Sequence, residues 1–369
     1  MLNYAPTMSR PAHTAVDYTA IEGNTRATQQ IIGSSIEIIG VVKANAYGHS
    51  AVRAAQAMLA GGATRLAVST TAEGQQLRAA GISAPILVLG YTPPECIEAA
   101  VHDNLALMVG DAVTLHAAAA AGRAAGKPSV LHLKVDTGMH RLGLLPYEVG
   151  AFLDSARSLR GIEWEGMFTH FATADEPWLP SFAQQARCFT GMLASVRAAG
   201  WHFPLIHAAN SAAALWQPHV RYDAVRAGIA LYGVSPSSDM PLPNGFHPAM
   251  SFHSYVTRVV TLPPGSPISY GSRYVTARQQ HIATVAAGYA DGLRRSPPWR
   301  EVLVHGQRAP IVGRVCMDYV MIDVTHIADV DVGDEVVLMG AQEDGLIGAH
   351  EVAEWLDTSA YEVLTTIGG

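Results

Sequence analysis

Eight short apolar runs lie between residues 36 and 230, and all but the last are followed by a longer amphipathic, alanine-rich stretch. Short runs of this kind suit buried parallel strands, and the longer stretches suit the helices that carry the chain back to begin the next strand. The runs are Ile36 to Lys43, Arg65 to Ser69, Ile86 to Gly90, Leu105 to Val109, Val130 to Asp136, Ile162 to His170, Leu205 to Ala208 and Tyr222 to Arg226. Eight strands alternating with helices predict an α/β fold closed as a (β/α)8 barrel. Helix punctuation agrees: Thr71 with Glu73 and Pro93-Pro94-Glu95 open two helices, while Gly61-Gly62, Gly81 and Gly126 close three.

The pattern changes after Tyr232-Gly233. Residues Ser235 to Pro248, rich in proline, serine and glycine, read as a linker. Beyond it come Val256 to Leu262, His281 to Ala287, Glu301 to Val304, Pro310 to Val315, Val320 to Val324 and Glu335 to Met339, separated by turn signals at Gly265, Gly306 and Gly333-Asp334. These predict a smaller all-β domain. Residues before Ile21 hold no good helix and are expected to pair with it. The expected organisation is a TIM-like barrel over residues 13–240, then a mainly β C-terminal domain over 241–369 joined by 1–12. With 369 residues, 49% of them hydrophobic, the chain can bury two cores. A net charge of -7 and no basic run argue against a nucleic-acid surface. Cys96, Cys188 and Cys316 stand in no paired spacing, which suits a reducing compartment. Met1 to Ala20 holds no apolar signal-peptide core and no run reaches membrane-spanning length, so the cytoplasm is the expected location.

Barrels of this type place their active sites at the carboxyl ends of the strands. There stand Lys43, Asp136 with Arg141 beyond it, His170, Asn210-Ser211 and Arg226. Lys43 leads, because an amine at the end of a buried strand loses hydration, is held below its ordinary pKa and becomes a nucleophile toward carbonyls. Taken singly, each has a structural alternative: a snorkelling lysine, a turn aspartate, a core histidine, a helix cap, an ion-paired arginine. Together they describe a lysine nucleophile, cationic partners and a helix start for an anion, which fits a phosphorylated aldehyde cofactor.

The motifs carry a resemblance. Val42-Lys43-Ala44-Asn45-Ala46-Tyr47-Gly48-His49, Asp136-Thr137-Gly138-Met139-His140-Arg141-Leu142-Gly143, Thr169-His170-Phe171-Ala172, Ala209-Asn210-Ser211-Ala212, Arg226-Ala227-Gly228-Ile229, Ser269-Tyr270-Gly271, Gly288-Tyr289-Ala290-Asp291-Gly292 and Gly313-Arg314-Val315-Cys316-Met317-Asp318 occur in the order and spacing of the alanine racemases. The chain resembles that family over nearly its whole length. The resemblance implies pyridoxal 5′-phosphate as cofactor, no metal, and interconversion of L- and D-alanine for peptidoglycan. It implies that Lys43 holds the cofactor, that Tyr47, Ser211, Gly228, Ile229 and Tyr361 bind its phosphate beside Asn210, and that Arg226 faces its ring nitrogen. Two bases are needed, one on each face of the amino acid: Lys43 serves one and Tyr270 the other. A phenol is a weak base at neutral pH, so His170 would link Tyr270 to Arg226 and assist it. The resemblance also implies a homodimer in which Tyr270 and Met317 come from the partner subunit. Arg141 and Met317 would hold the substrate carboxylate. Asp175, Tyr289, Arg295 and Arg314 would line the entrance, and Lys134 matches a lysine carbamylated in some members.

Other readings stay open at this point. Leu89-Gly90-Tyr91-Thr92-Pro93-Pro94 resembles serine-active relatives, so a serine or broad-specificity racemase is an alternative. A non-catalytic cofactor-binding protein is another, although relatives of that kind are single barrels. Decarboxylases of similar architecture would place a cysteine and acidic residues at the site. Relatives usually continue past Tyr361-Glu362-Val363-Leu364 to a basic, proline-containing end, whereas this sequence stops at Ile367-Gly368-Gly369.

Overall fold

The computed structural model describes residues 10–367. They divide into two compact units, Tyr18–His247 and the residues up to Asp17 together with those from Pro248 onward. The chain opens with β1 (His13–Val16) and then a helix, Tyr18–Ile32. That helix starts before Ile21, where none was expected, and buries Ala20, Ile21, Asn24, Thr25, Thr28 and Ile32 along one side.

The first unit is a closed barrel of eight parallel strands: β2 (Glu37–Val41), β3 (Arg65–Val68), β4 (Ile86–Val88), β5 (Leu105–Val109), β6 (Ser129–Lys134), β7 (Ile162–Phe168), β8 (Leu205–His207) and β9 (Ala224–Ala227). Each pairs in parallel with its neighbours, and β9 closes on β2 with Arg226 opposite Ile39. The strands are short and, apart from the amino-terminal half of β7, almost wholly buried, with all five residues of β5 inside. Burial on both faces is what continuous apolar runs require. Helices alternate with the strands at Ala51–Ala60, Thr71–Ala79, Pro94–His102, Ala112–Ala125, Val149–Ala156, Pro180–Ala198 and Ser211–Trp216. The first expected helix start is set by Thr70 and not Thr71. Thr70 is extended, its hydroxyl accepts from the Glu73 amide at 3.3 Å, and the Glu73 carboxylate accepts from the Thr70 amide at 3.0 Å. After β9 the chain makes a 3-10 turn, Ile229–Tyr232.

The second unit is an antiparallel sheet. Its members are β1, β10 (Met250–Leu262), β13 (Gln280–Val285), β14 (Glu301–Val304), β15 (Gln307–Val312), β16 (Val320–Asp323), β17 (Glu335–Gln342) and β18 (Gly345–Ile347), in the order β1-β10-β13-β16-β15-β14-β17-β18. A small hairpin, β11 (Pro267–Ile268) with β12 (Tyr274–Val275), stands beside that order as a separate sheet. The long β10 also pairs with β17, and register shifts near His253 and Val256 let one strand serve β1, β13 and β17. Trp299 is 1% exposed, donates its indole N–H to the Leu338 carbonyl at 3.1 Å and packs edge-on against Phe252. The all-β expectation is corrected at the end of the chain, where helices Ala349–Trp355 and Ala360–Ile367 follow β18. Ala360, Val363, Leu364 and Ile367 are buried at helical spacing, the periodicity that separates this segment from a strand. Among the described residues, no helix is long and apolar enough to cross a membrane.

One close approach fixes how the barrel's helix layer sits. A Cβ built on Gly122, in helix Ala112–Ala125, would stand 1.9 Å from the Gly161 carbonyl oxygen. Gly122→Ala is expected to cost roughly 3 kcal/mol of unfolding free energy, since rigid backbone cannot move aside cheaply. Chemical denaturation would measure it, and an unchanged midpoint would contradict the packing.

Candidate active site

β2 ends at Val41, and Lys43 begins a tight turn just beyond it. The small residues that lead from here to Gly48 would suit a plain turn. Instead Ala44, Asn45, Ala46 and Tyr47 all have positive φ, 51°, 51°, 57° and 52°, so the backbone makes one left-handed helical turn. L-residues oppose this conformation by roughly 1–2 kcal/mol each, so surrounding bonds must hold it. The Ala44 amide donates to Glu73 Oε1 at 2.7 Å, the Ala46 amide donates to the Val42 carbonyl at 2.9 Å, and Asn45 Oδ1 accepts from the Ala51 amide at 2.9 Å. Lys43 emerges half-buried, its amine held below the ordinary lysine pKa by burial first and then by Arg141 and Arg226, with Glu73 opposing. Such an amine gives up its proton more readily than a surface lysine does.

Behind it stands Arg226 on β9, 4% exposed. One terminal nitrogen donates to His207 Nδ1 at 2.7 Å and to the His207 carbonyl at 3.1 Å. The other donates to the carbonyls of Thr169 at 2.7 Å and Ala208 at 2.9 Å and approaches His170 Nδ1 at 3.3 Å. Burial pulls the guanidinium down to about 9, which still leaves it protonated at neutral pH. Arginine has only donors, so His170 Nδ1 must accept and neutral His170 carries its proton on Nε2. Burial pushes His170 well below its ordinary value, and Arg226, Lys134, Arg141 and Lys43 all push the same way. Those five side chains therefore converge. Lys134, at the end of β6, is 7% exposed and falls to about 7, through burial and then Arg226, with Asp136 opposing; its amine donates to the Val135 carbonyl at 3.0 Å. Burial alone would raise the Asp136 carboxyl. The amides of His140, Gly138 and Met139, donating to Oδ1 at 2.9 to 3.0 Å, hold it low and bend the chain toward Arg141.

A second part of the same unit suits an anion. Asn210 caps helix Ser211–Trp216 by accepting from the Ala213 amide at 3.0 Å. The buried Ser211 hydroxyl accepts from the amides of Gly228 at 2.9 Å and Ala230 at 3.4 Å, so its own O–H is left to donate. The Gly228 amide is therefore engaged by Ser211 and not simply exposed, as its glycine would suggest from sequence. A Cβ on Gly228 would stand 2.7 Å from the Tyr47 hydroxyl oxygen, so only glycine keeps that cradle. Ile229 comes next, buried, and Asp175 lies on the loop after β7.

The remaining expected residues lie on the β unit. Tyr270 opens a 3-10 turn and is 64% exposed, with the Arg295 guanidinium 5.8 Å from its ring centroid. Ser269 before it has φ 63° and donates its hydroxyl to the Arg314 carbonyl at 2.7 Å. The amides of Tyr289 and Ala290 donate to the carbonyls of Cys316 and Met317, each at 3.0 Å, which ties the Tyr289 turn to exposed Met317. Tyr361 is on the helix Ala360–Ile367. Sequence reasoning missed Glu73 as the anchor of the lysine turn, and His132, Glu165 and His207 behind Arg226. The last three were visible as polar residues inside apolar strand runs.

A strand-end lysine of lowered pKa, a cluster of cations and a glycine cradle beside a buried serine hydroxyl together fit a phosphorylated aldehyde. Comparison with known proteins agrees. Residues 16–236 match the family model described as alanine racemase, N-terminal domain, and residues 249–369 the C-terminal domain. An alanine racemase from Symbiobacterium thermophilum is 44% identical, covering 97% of this chain and 95% of that protein. One from Desulfovibrio desulfuricans is 40% identical, covering 97% and 96%. Among solved structures, alanine racemase from Bacillus anthracis with bound L-Ala-P matches at TM-score 0.92 and 42% identity, over 98% of this chain and 93% of that one. The Streptomyces lavendulae enzyme matches at TM-score 0.93 and 37% identity, over 98% and 96%.

Strain in the lysine turn is testable apart from chemistry. Ala44 is exposed with φ 51°, so Ala44→Gly removes a backbone conflict without removing packing. Thermal unfolding should show a gain of about 0.5–1 kcal/mol, and a loss would mean that the turn is not strained.

Proposed function

The chain belongs to the alanine racemase family, and from that premise we propose that it interconverts L- and D-alanine with pyridoxal 5′-phosphate, supplying D-alanine for peptidoglycan in the cytoplasm. The observation that carries the reading is the convergence of Lys43, Lys134, Arg141 and Arg226 on His170 beside the Ser211–Gly228 cradle. When bound, the cofactor supplies an electron sink that makes the Cα–H of alanine acidic. Lys43 holds it covalently and moves a proton on one face of the substrate. Tyr47, Ser211, Gly228, Ile229 and Tyr361 take the phosphate, with Asn210 fixing the helix start beside them. Arg226 would face the ring nitrogen. Its terminal nitrogens donate to carbonyls and imidazoles, so the guanidinium is held rigidly and offers the ring a donor but no acceptor.

The opposite face needs its own base, and we assign it to Tyr270 of the partner subunit in a homodimer. The exposure of Tyr270 on the β unit supports an intermolecular role, because an aromatic ring 64% exposed is unburied in its own chain. With Nδ1 of His170 accepting from Arg226, the Nε2–H is a donor that would stabilise an ionised phenol. Arg141 and the Met317 amide hold the substrate carboxylate, and Asp175, Tyr289, Arg295 and Arg314 line the entrance. Lys134 is the proposed carbamate: an amine held at about 7 is largely uncharged just above neutrality, as attack on carbon dioxide requires.

Circular dichroism of L-alanine should decay in the presence of the cofactor-loaded protein, and Tyr270→Phe should slow that decay by about 10²–10⁴-fold, the usual range for removing a proton-transfer group. A cofactor-loaded protein that leaves the signal constant is a carrier and not a racemase. In carbon-13 bicarbonate, a carbamate resonance absent from Lys134→Ala should grow as the pH rises through 7, since protonation below that value removes the nucleophile. A pH-independent signal, or none, would leave Lys134 an ordinary barrel lysine.

A further inference from the structure

Arg226 is the upper end of a buried chain of hydrogen bonds that leads away from the proposed reaction centre. His207 Nδ1 accepts from Arg226 at 2.7 Å, His207 Nε2 lies 2.8 Å from His132 Nδ1, and His132 Nε2 lies 2.8 Å from Glu165 Oε2. His132 is on β6 and His207 on β8, strands that are not neighbours, so this contact crosses the barrel interior. Gly166 makes the room: a Cβ there would stand 2.2 Å from His132 Nδ1. At the far end Glu165 also pairs with Arg65 at 2.7 Å, and Arg65 with Glu37 at 3.0 Å. Glu37 and Arg65 open β2 and β3, so this end lies toward the amino termini of the strands, whereas Lys43 and His170 come after carboxyl ends.

The proton order along the chain has one solution. Arginine only donates, so His207 Nδ1 is bare and a neutral His207 is protonated on Nε2. That N–H donates to His132 Nδ1, which must also be bare, so His132 is protonated on Nε2. An ionised carboxylate only accepts, and Glu165 is held at about 2 because its His132 and Arg65 partners outweigh its burial. Adding a proton to either imidazole would set two donors against each other. The titratable groups acting on His132 are Glu165, Arg65 and Arg226, and those on His207 are Arg226, Arg65 and Lys134, with His132 itself adding only if it were charged. Burial comes first in keeping both rings neutral.

We infer that Glu165 is a positioning residue for Arg226: as an acceptor-only terminus it joins donor-only Arg226 in fixing the tautomers of His132 and His207, so that the reversed order, in which His207 Nδ1 would carry a proton and turn away the Arg226 N–H, is opposed at both ends and the guanidinium keeps one orientation. The kinetic consequence rests on the proposed racemisation; the proton order does not. A merely structural carboxylate would only tie down Arg65.

The test is nitrogen-15 spectroscopy of the imidazoles in the full-length, cofactor-loaded protein. His132 and His207 should both be neutral and protonated on Nε2 from about pH 6 to about pH 8; Nδ1 protonation or an imidazolium at either overturns the inference. A glutamine offers both an acceptor and donors, so Glu165→Gln removes the constraint at the His132 end and leaves Arg226 alone to oppose the reversed order. It should bring a second tautomer at both rings and lower kcat for alanine about tenfold, with KM within about twofold. Glu37→Gln, which disturbs the same ion-pair cluster without touching the chain, should leave the spectra and kcat unchanged. Equal effects of the two variants, or an unaltered Glu165→Gln spectrum and rate, would reduce Glu165 to a structural ion pair. If the wild-type tautomers are found but alanine is not racemised, the proton order stands and only the racemase reading falls.

Discussion

A guanidinium buried in the barrel is the constraint on which this site depends. Arg226 is held by three backbone carbonyls and two imidazole nitrogens. An isolated charge in such a place would cost several kcal/mol, and here the ends of β7, β8 and β9 meet around it to supply compensating dipoles. The carbonyls at the carboxyl ends of β7 and β8 therefore also orient the arginine of β9. Its donors force His170 to accept on Nδ1, which turns the other ring nitrogen into a donor, and the nearby lysines feel a fixed positive neighbour that lowers their proton affinity.

Strain at Lys43 is compensated locally by Glu73. The same carboxylate caps helix Thr71–Ala79, receives the Ser69 and Thr70 amides, and takes the Ala44 amide of the left-handed turn. An ordinary helix cap thus doubles as the anchor of a backbone conformation that four consecutive L-residues would not adopt unaided. Lys43 is placed by backbone geometry, and its pKa is lowered by burial and by cations contributed from other parts of the barrel.

Much of this was legible in the sequence because burial leaves a periodic trace. The eight runs from Ile36 to Arg226 correspond to β2 through β9, with ends shifted by a few residues: Asp136 and His170 lie just past their strands because β6 stops at Lys134 and β7 at Phe168. The helices at the end of the chain were missed since their short apolar groups, such as Val363-Leu364, look alike in strands and helices until the i, i+3, i+4 spacing is traced. The left-handed turn was not legible at all, because Ala and Asn carry no side-chain signal for positive φ as strong as glycine's. Nor was the connection among Glu165, His132 and His207, although each stands out as a polar residue in an apolar run, because the His132–His207 link joins β6 and β8, which are neighbours neither in sequence nor in the sheet.

The proposed racemisation assigns two different groups, one to each face of alanine. Deuterium incorporation at Cα in D₂O, started separately from each enantiomer with Tyr270→Phe, tells the two faces apart. On this assignment exchange from L-alanine should collapse while exchange from D-alanine, which the proposal gives to Lys43, largely persists. Equal loss from both enantiomers, or loss from neither, would contradict the two-base assignment.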